Sequence, residues 1–289
     1  MIEGLLNSAA PLILAGLGAL LSDLSGTLGI FMEGFMITGA FFSWVFAGWT
    51  GSVFWGTVLS AALAAAGGWV LARFVAISRA NPFIAGLAVN LAASGLTLSL
   101  SAVWFGTKGV LQNPGIKIPG PVIIPFIENI PLLGGIISGQ NPFTYVSWAC
   151  AVIIAVMLKM TVPGLRLRAS GLSPETAAER GLRPGRYKEW AWAAAAFLAA
   201  LAGAALTFRV GSYSPGGIAG RGWIALAAVY LGFRKVWGVV IAAFVFSFAE
   251  RIGYSVQSFG SLPATALLGL PYALALFFYF LSLFFRRRR

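Results

Sequence analysis

The sequence predicts an all-α fold, a polytopic membrane helix bundle of about eight transmembrane helices with some broken or re-entrant segments. Of the 289 residues, 59% are hydrophobic and only 10% charged, against roughly 25% charged in an average soluble domain. Apolar runs recur at 5–22, 32–49, 53–77, 83–105, 143–160, 189–208, 223–250 and 262–285. Most approach the ~20 residues that a helix needs to cross a hydrocarbon layer about 30 Å thick. Connections between the runs are short except for 106–142 and 161–188, so the whole chain, 1–289, reads as one membrane domain.

Met1-Ile2-Glu3 lacks the basic n-region of a cleavable signal peptide, so the first run stays in the protein as a span. It ends in Ser22-Asp23-Leu24-Ser25-Gly26-Thr27, a polar interruption that continues to Glu33-Gly34 before the second run. After the fourth run, residues 106–142 hold Pro114, Pro119, Pro121, Pro125, Pro131 and Pro142, yet only Lys108, Lys117 and Glu128 are charged. That stretch reads as a rigid, surface-hugging excursion on the extracytoplasmic side.

Residues 161–188 are the most polar connection. Lys159, Arg166, Arg168, Arg180, Arg183, Arg186 and Lys188 gather in and beside it, and Arg286 to Arg289 close the chain. The positive-inside bias puts both regions, and so the C-terminus, in the cytoplasm. Within the loop, Ser173 is suited to N-cap a short helix that has Pro174 at its first position and Glu175 at its positive end. Gly181 suits a left-handed stop. Two turns of helix do not persist alone in water, so this one must rest on its own bundle or on a partner.

Counting crossings from the basic loop and from the C-terminus puts residues 210–222 and 251–261 on the same side. The run 223–250 must therefore enter and return, breaking at Gly232-Phe233-Arg234-Lys235 into arms 223–232 and 236–250. Such breaks survive in a membrane only where protein or a water-filled cavity surrounds the loose backbone.

The chemistry that is missing narrows the function. The 20 basic against 8 acidic residues, a formal charge of +12, report orientation rather than a nucleic-acid ligand, because the charges lie between apolar runs. There is no His and only Cys150, which excludes internal disulfides, thiolate clusters and imidazole chemistry. No G-x-x-x-x-G-K-[ST] loop exists, so any ATP-driven role needs a separate ATPase. No catalytic constellation or metal site is legible, and an enzyme is not expected.

Ionisable groups near a bilayer are costly, so each is a candidate. Asp23, Arg209, Glu250 and Arg251 read as anchors at helix ends. Glu33, and Arg221 between Gly220 and Gly222, sit at interruptions, where they could line a polar cavity, pair, or fix a broken helix. Asn90 lies within a span, either as an interhelical hydrogen bond or as a contact to solute in a translocation pathway. Trp residues near span ends suit the membrane interface.

Several of these segments resemble the permease subunits of ABC importers for nucleosides, ribose and other simple sugars, relatives of the branched-chain amino acid permeases. Ala10 to Asp23 followed by Gly29-Ile30-Phe31-Met32-Glu33-Gly34 is similar to a family segment ending N-I-G-L-E-G, with Gly29 in place of Asn. Gly164 to Leu182 resembles the family's coupling segment, R-A-x-G-x-x-P-x-x-A-x-x-x-G, which matches Arg168, Gly171, Pro174, Ala177 and Gly181. Gly220 to Val229 and Leu270-Pro271-Tyr272 also match, whereas Phe233-Arg234-Lys235-Val236-Trp237 departs from the usual G-x-W-x-P.

The resemblance implies that the segment holding Arg168, Gly171, Pro174, Glu175, Ala177, Ala178 and Gly181 couples to an ATP-binding subunit, which carries the ATP and Mg. This chain itself binds no cofactor. Glu33, Asn90, Gly220, Arg221 and Gly222 are the pathway candidates. It further implies a second permease, an unlike but related chain, and an extracytoplasmic substrate-binding protein, all at a bacterial-type plasma membrane. The expected solute is a neutral polar one, a nucleoside first and a simple sugar or riboflavin second. The rival class is a self-sufficient secondary transporter or channel, which would need ion-coupling carboxylates or a charge ring within its spans.

Overall fold

The computed structural model describes residues 2–113, 115–123 and 138–257. Ten helices lie among them: α1 (Ile2–Leu24), α2 (Met32–Thr50), α3 (Val53–Ser78), α4 (Pro82–Phe105), α5 (Pro142–Met160), α6 (Val162–Leu172), α7 (Pro174–Glu179), α8 (Pro184–Val210), α9 (Arg221–Leu231) and α10 (Val236–Gln257). No sheet forms among the described residues; two isolated bridges, Leu111 with Tyr213 and Val122 with Gln140, are the extended pairings there.

The punctuation of these helices is written in Pro and Gly. Pro82, Pro142, Pro174 and Pro184 each open a helix, where the missing N–H has no intrahelical partner to lose. Asn81 and Asn141 cap two of these starts by accepting from the Phe83 and Phe143 amides at 2.8 and 3.1 Å. Gly51, Gly106 and Gly211, at φ of 68°, 68° and 78°, close α2, α4 and α8 in the left-handed conformation. The unused case is Pro11, inside α1. It leaves the Asn7 carbonyl without its helical donor, and Arg209 Nη1 reaches that oxygen at 3.5 Å.

Among the described residues, six helices are long and apolar enough to cross a membrane: Gly4–Leu24 within α1, α3, α4, α5, α8, and Val236–Gly253 within α10. Two of the expected runs, and the first arm of a third, are not in this set. Residues 262–285 lie outside the described residues, as do Arg286 to Arg289. The run 32–49 forms α2, whose apolar character is diluted by Glu33 and several Gly and hydroxyl residues. The first arm of 223–250 is α9, eleven residues or about 16 Å long, half of a hydrocarbon layer. The chain breaks at 232–235, as the sequence predicts, and α10 packs back on α9.

α8 is the hub. In its membrane-length window 89% is buried, against 22% for α4, and α1, α2 and α3 surround it. The Ala-rich run from Ala193 to Ala205 permits this. A Cβ on Gly203 would strike the Met36 carbonyl oxygen, one on Gly39 the Ala200 backbone, and one on Gly68 the Trp192 carbonyl. Backbones at that separation gain dispersion and Cα–H···O contacts that larger residues forbid, the usual driving force between helices in lipid. α3 and α4 instead expose Phe54, Leu63, Phe74, Ile84, Leu91 and Val103, as surfaces in contact with lipid or another apolar chain do.

The loops sort onto two ends of the bundle. At one end, the Leu111 and Tyr213 backbones exchange hydrogen bonds of 2.8 and 3.1 Å, and Asn7 Oδ1 accepts from the Asn141 amide and the Thr144 hydroxyl at 3.0 and 2.6 Å. At the other, Gly171 lies against Leu24 and Gly26, and Arg234 pairs with Asp23. Leu111 and residues 138–142, the described ends of the excursion, thus share one end with the loop 211–220, and the basic loop and the 232–235 turn share the other.

Gly203→Val is expected to lower stability by about 3 kcal/mol, the upper end for overpacking a tight site. Gly95→Ala, which meets open space, raises it by about 0.5 kcal/mol through helix propensity. Thermal unfolding of the detergent-purified variants measures both.

Candidate functional site

Glu33, Asn90 and the Gly220–Gly222 segment converge on the start of α2. The chain leaves α1 at Leu24, turns through residues 25–31 and returns into the bundle, where Ile30 and Phe31 are buried. Phe31 packs on the Trp192 ring at 4.7 Å. α9 runs eleven residues, about 16 Å, from this node to the 232–235 turn, so the start of α2 lies about half of a ~30 Å layer from that end.

Two groups satisfy the loose backbone there. Asn90 bridges the turn, its Oδ1 accepting from the Gly34 amide at 2.7 Å and its Nδ2 donating to the Ile30 carbonyl at 2.7 Å. Gly34 is required at that place, because a Cβ would come within 2.9 Å of Asn90 Oδ1. Glu33 does the same for α9. Its Oε1 accepts from the Gly220 amide at 2.9 Å and its Oε2 from the Gly222 amide at 2.7 Å. Gly220 is left-handed, at φ 80°, and a Cβ on Gly222 would come within 2.5 Å of the Glu33 amide nitrogen. The positive ends of two helices meet on one carboxylate.

Arg221 turns to a different acid. Its Nε lies 3.4 Å from Glu250 Oε1 on α10, and its Nη1 donates to the Gly217 and Ile218 carbonyls at 3.1 and 3.3 Å. The five residues singled out in the sequence, Glu33, Asn90, Gly220, Arg221 and Gly222, thus lie in one node, with Glu33 held by backbone and Arg221 by Glu250. For Asn90 the interhelical hydrogen bond is the reading that the geometry gives.

At the end bearing the basic loop, α6 and α7 form a bent pair. Ala177 is buried and faces the bundle, while Glu175 and Ala178 are exposed. Gly181, at φ 79°, stops α7: its amide donates to the Ala178 carbonyl at 2.9 Å and the Leu182 amide to that of Ala177 at 3.0 Å, a Schellman closure. Ser173 occupies the N-cap position, but its hydroxyl goes to the Thr176 hydroxyl at 2.9 Å rather than to a backbone amide. Behind α7, Gly171 presses its backbone onto the Leu24 carbonyl and the Gly26 amide. Arg168 Nε is buried there with no hydrogen-bond partner among the described residues.

Two features escaped the sequence reading. One is the tie from Asp23 to Arg234 and Tyr230. The other is the contact between Gly232 and Gly238, where α9 and α10 pack backbone to backbone. That contact explains the departure at Phe233-Arg234. The glycine serves the crossing, so Phe233 and Arg234 take the left-handed positions themselves, at φ 53° and 58°. The Asp23 tie holds the second of them in place.

Over residues 1–286 the chain matches the family described as branched-chain amino acid transport system, permease component. This chain belongs to that family. As an ABC transporter permease it is a multi-pass membrane protein, a transport subunit without a catalytic role, and it works with an ATPase and other transporter components. It is 32% identical over 282 residues to the guanosine ABC transporter permease protein NupQ of Bacillus subtilis (strain 168), covering 93% of this permease and 87% of that one. The nucleoside ABC transporter permease protein NupC of Lactococcus lactis subsp. cremoris (strain MG1363) is 28% identical, with 94% and 88% covered. A permease of Haloferax volcanii, provisionally named for glucose, is also 28% identical, with 88% and 78% covered. No solved structure matches the permease.

Truncating Asn90 to Ala strands a buried amide and a carbonyl, so it is expected to destabilise the permease by about 2 kcal/mol or more. Glu33→Ala strands the Gly220 and Gly222 amides and is expected to cost at least as much, whereas Glu33→Gln, which still accepts one bond, costs less. Thermal unfolding of the three variants in one detergent checks the order.

Proposed function

We propose that this permease forms half of the translocation pathway of an ABC importer for a neutral polar solute, a nucleoside above all. The chain crosses a bacterial-type plasma membrane about eight times, as one membrane domain. Residues 106–142 lie outside, and residues 161–188 and the C-terminus lie in the cytoplasm. The other half of the pathway is a second, related permease chain. A substrate-binding protein delivers the solute at the outer face, and ATP and Mg are held by the ATP-binding subunits.

The observation that carries the reading is the backbone contact of Gly171 with Leu24 and Gly26. It joins α7, whose exposed Glu175 and Ala178 suit a partner surface, to the 25–31 turn, and that turn leads straight to Glu33. In this reading the segment containing Arg168, Gly171, Pro174, Glu175, Ala177, Ala178 and Gly181 seats on the ATPase. Closure of the ATPase moves α7 and α6, and α6 carries the 25–31 turn with it. The turn shifts the node of Glu33, Asn90, Gly220, Arg221 and Gly222, where the half-helix α9 meets α2. The pathway opens to one side or the other as these two helix ends part or close.

Nucleoside as the solute is supported by the guanosine- and nucleoside-named relatives, which this chain resembles over nearly its whole length. The glucose-named relative keeps a simple sugar as the second reading. Asp23, Glu33, Arg221 and Glu250 are engaged within the protein, which suits a neutral solute better than an ion.

Uptake of labelled guanosine, adenosine, ribose, galactose and riboflavin, in cells with and without the gene, tests the solute. Guanosine or adenosine accumulation is expected to vanish on deletion and to require ATP; nucleoside uptake unchanged by deletion removes the nucleoside reading. Glu175→Lys combined with Ala178→Arg is expected to abolish uptake and ATPase co-purification while the chain still inserts. Normal transport by that variant removes the coupling assignment.

A further inference from the structure

Beside the coupling helix, and separate from the node, lies a cavity of about 490 Å³ lined by Arg166, Arg180, Arg183, Arg186, Tyr187 and Trp190. It is framed by α6, the end of α7 and the start of α8. No carboxylate lines it, and among the described residues none of the four guanidinium groups has an acidic partner. Orientation by the positive-inside bias needs basic residues on this side of the membrane, but it does not need four of them, drawn from three segments, to face one concavity.

We infer that this cavity binds the phosphate headgroup of an anionic membrane phospholipid. Arginine forks match phosphate oxygens in bidentate geometry, and the positive end of the 27-residue α8 adds partial charge at the same place. Depth separates a lipid from other phosphate ligands. The cavity opens where the span Pro184–Val210 begins, and Trp190 there is 70% exposed, as an indole at the headgroup level is. Leu165 and Val162 on α6 are also exposed, an apolar flank for acyl chains beside the charged mouth. An acidic protein partner would use the guanidinium groups but has no need of this apolar flank.

The test uses the full chain, co-purified with its transporter subunits and reconstituted into phosphatidylcholine vesicles with or without phosphatidylglycerol. Brominated lipids quench nearby indoles, and the part of the signal lost in Trp190→Phe reports this site. Brominated phosphatidylglycerol is expected to quench that part at lower mole fraction than brominated phosphatidylcholine. The difference falls about fivefold for each of Arg183→Gln and Arg186→Gln, from the ~1 kcal/mol that each basic side chain contributes near an anionic surface. Arg79→Gln, an exposed arginine outside the cavity, leaves the preference unchanged and controls for net charge. Equal quenching by the two lipids, or a preference that survives the Arg183→Gln and Arg186→Gln changes, overturns the proposal. Full displacement of phosphatidylglycerol by inorganic phosphate assigns the cavity to a soluble phosphate ligand. Loss of the ATPase with the lipid preference intact makes it a protein dock; either result also overturns the proposal.

Discussion

A helix that begins in the middle of a bilayer has amide groups that water cannot reach, and the rest of this architecture depends on how they are met. Here one carboxylate meets them. Glu33 accepts from the Gly220 and Gly222 amides, so α9 can start at mid-depth instead of at the surface. Asn90 plays the matching part for the 25–34 turn. Each unmatched group in hydrocarbon costs several kcal/mol, so these two side chains permit a broken topology that an apolar residue at either place would forbid. The absence of side chains on Gly34 and Gly222 is the other half of the arrangement, because it lets the acceptors come within reach.

The surrounding bundle shows why so much of this chain is Gly and Ala. Helices in lipid have no hydrophobic drive toward one another and associate through close contact of their backbones. α8, mostly Ala in its buried portion, is contacted by α1, α2 and α3. Bulk is concentrated where it fills specific gaps, as with Phe31 against Trp192 and Phe143 against Phe208, whose rings stack at 6.1 Å. The exposed aromatic and branched residues of α3 and α4 form the outer wall.

Much of this is legible in the sequence. The apolar runs up to residue 250, the break at 232–235 and the short helix 174–179 with Pro174 at its start and Gly181 after its end all rest on local rules of chain geometry, and the structure has helices and turns where those rules put them. The node was legible only in part. Glu33, Asn90 and the 220–222 triplet stand out as polar groups in apolar surroundings, but sequence spacing carries no information about which amide a carboxylate will face. Hence Glu33 and Arg221 looked like possible partners, while each is in fact held by a different group. Backbone contacts were the least legible. Gly26 with Gly171 and Gly232 with Gly238 are pairs that no local pattern joins, and their contact appears only when two segments have been laid against each other. The run 262–285 lies outside the described residues.

The junction of Gly171 with residues 24–26 has a mechanical consequence. Most contacts between helices are made by side chains, which absorb a small displacement by changing rotamer, as a cushion does. At this junction main chain rests on main chain, and no χ angle lies between them. A shift of α6 therefore arrives at the 25–31 turn with its amplitude preserved, which makes the joint behave as a rigid linkage rather than a spring. Any side chain installed there would introduce compliance as well as bulk.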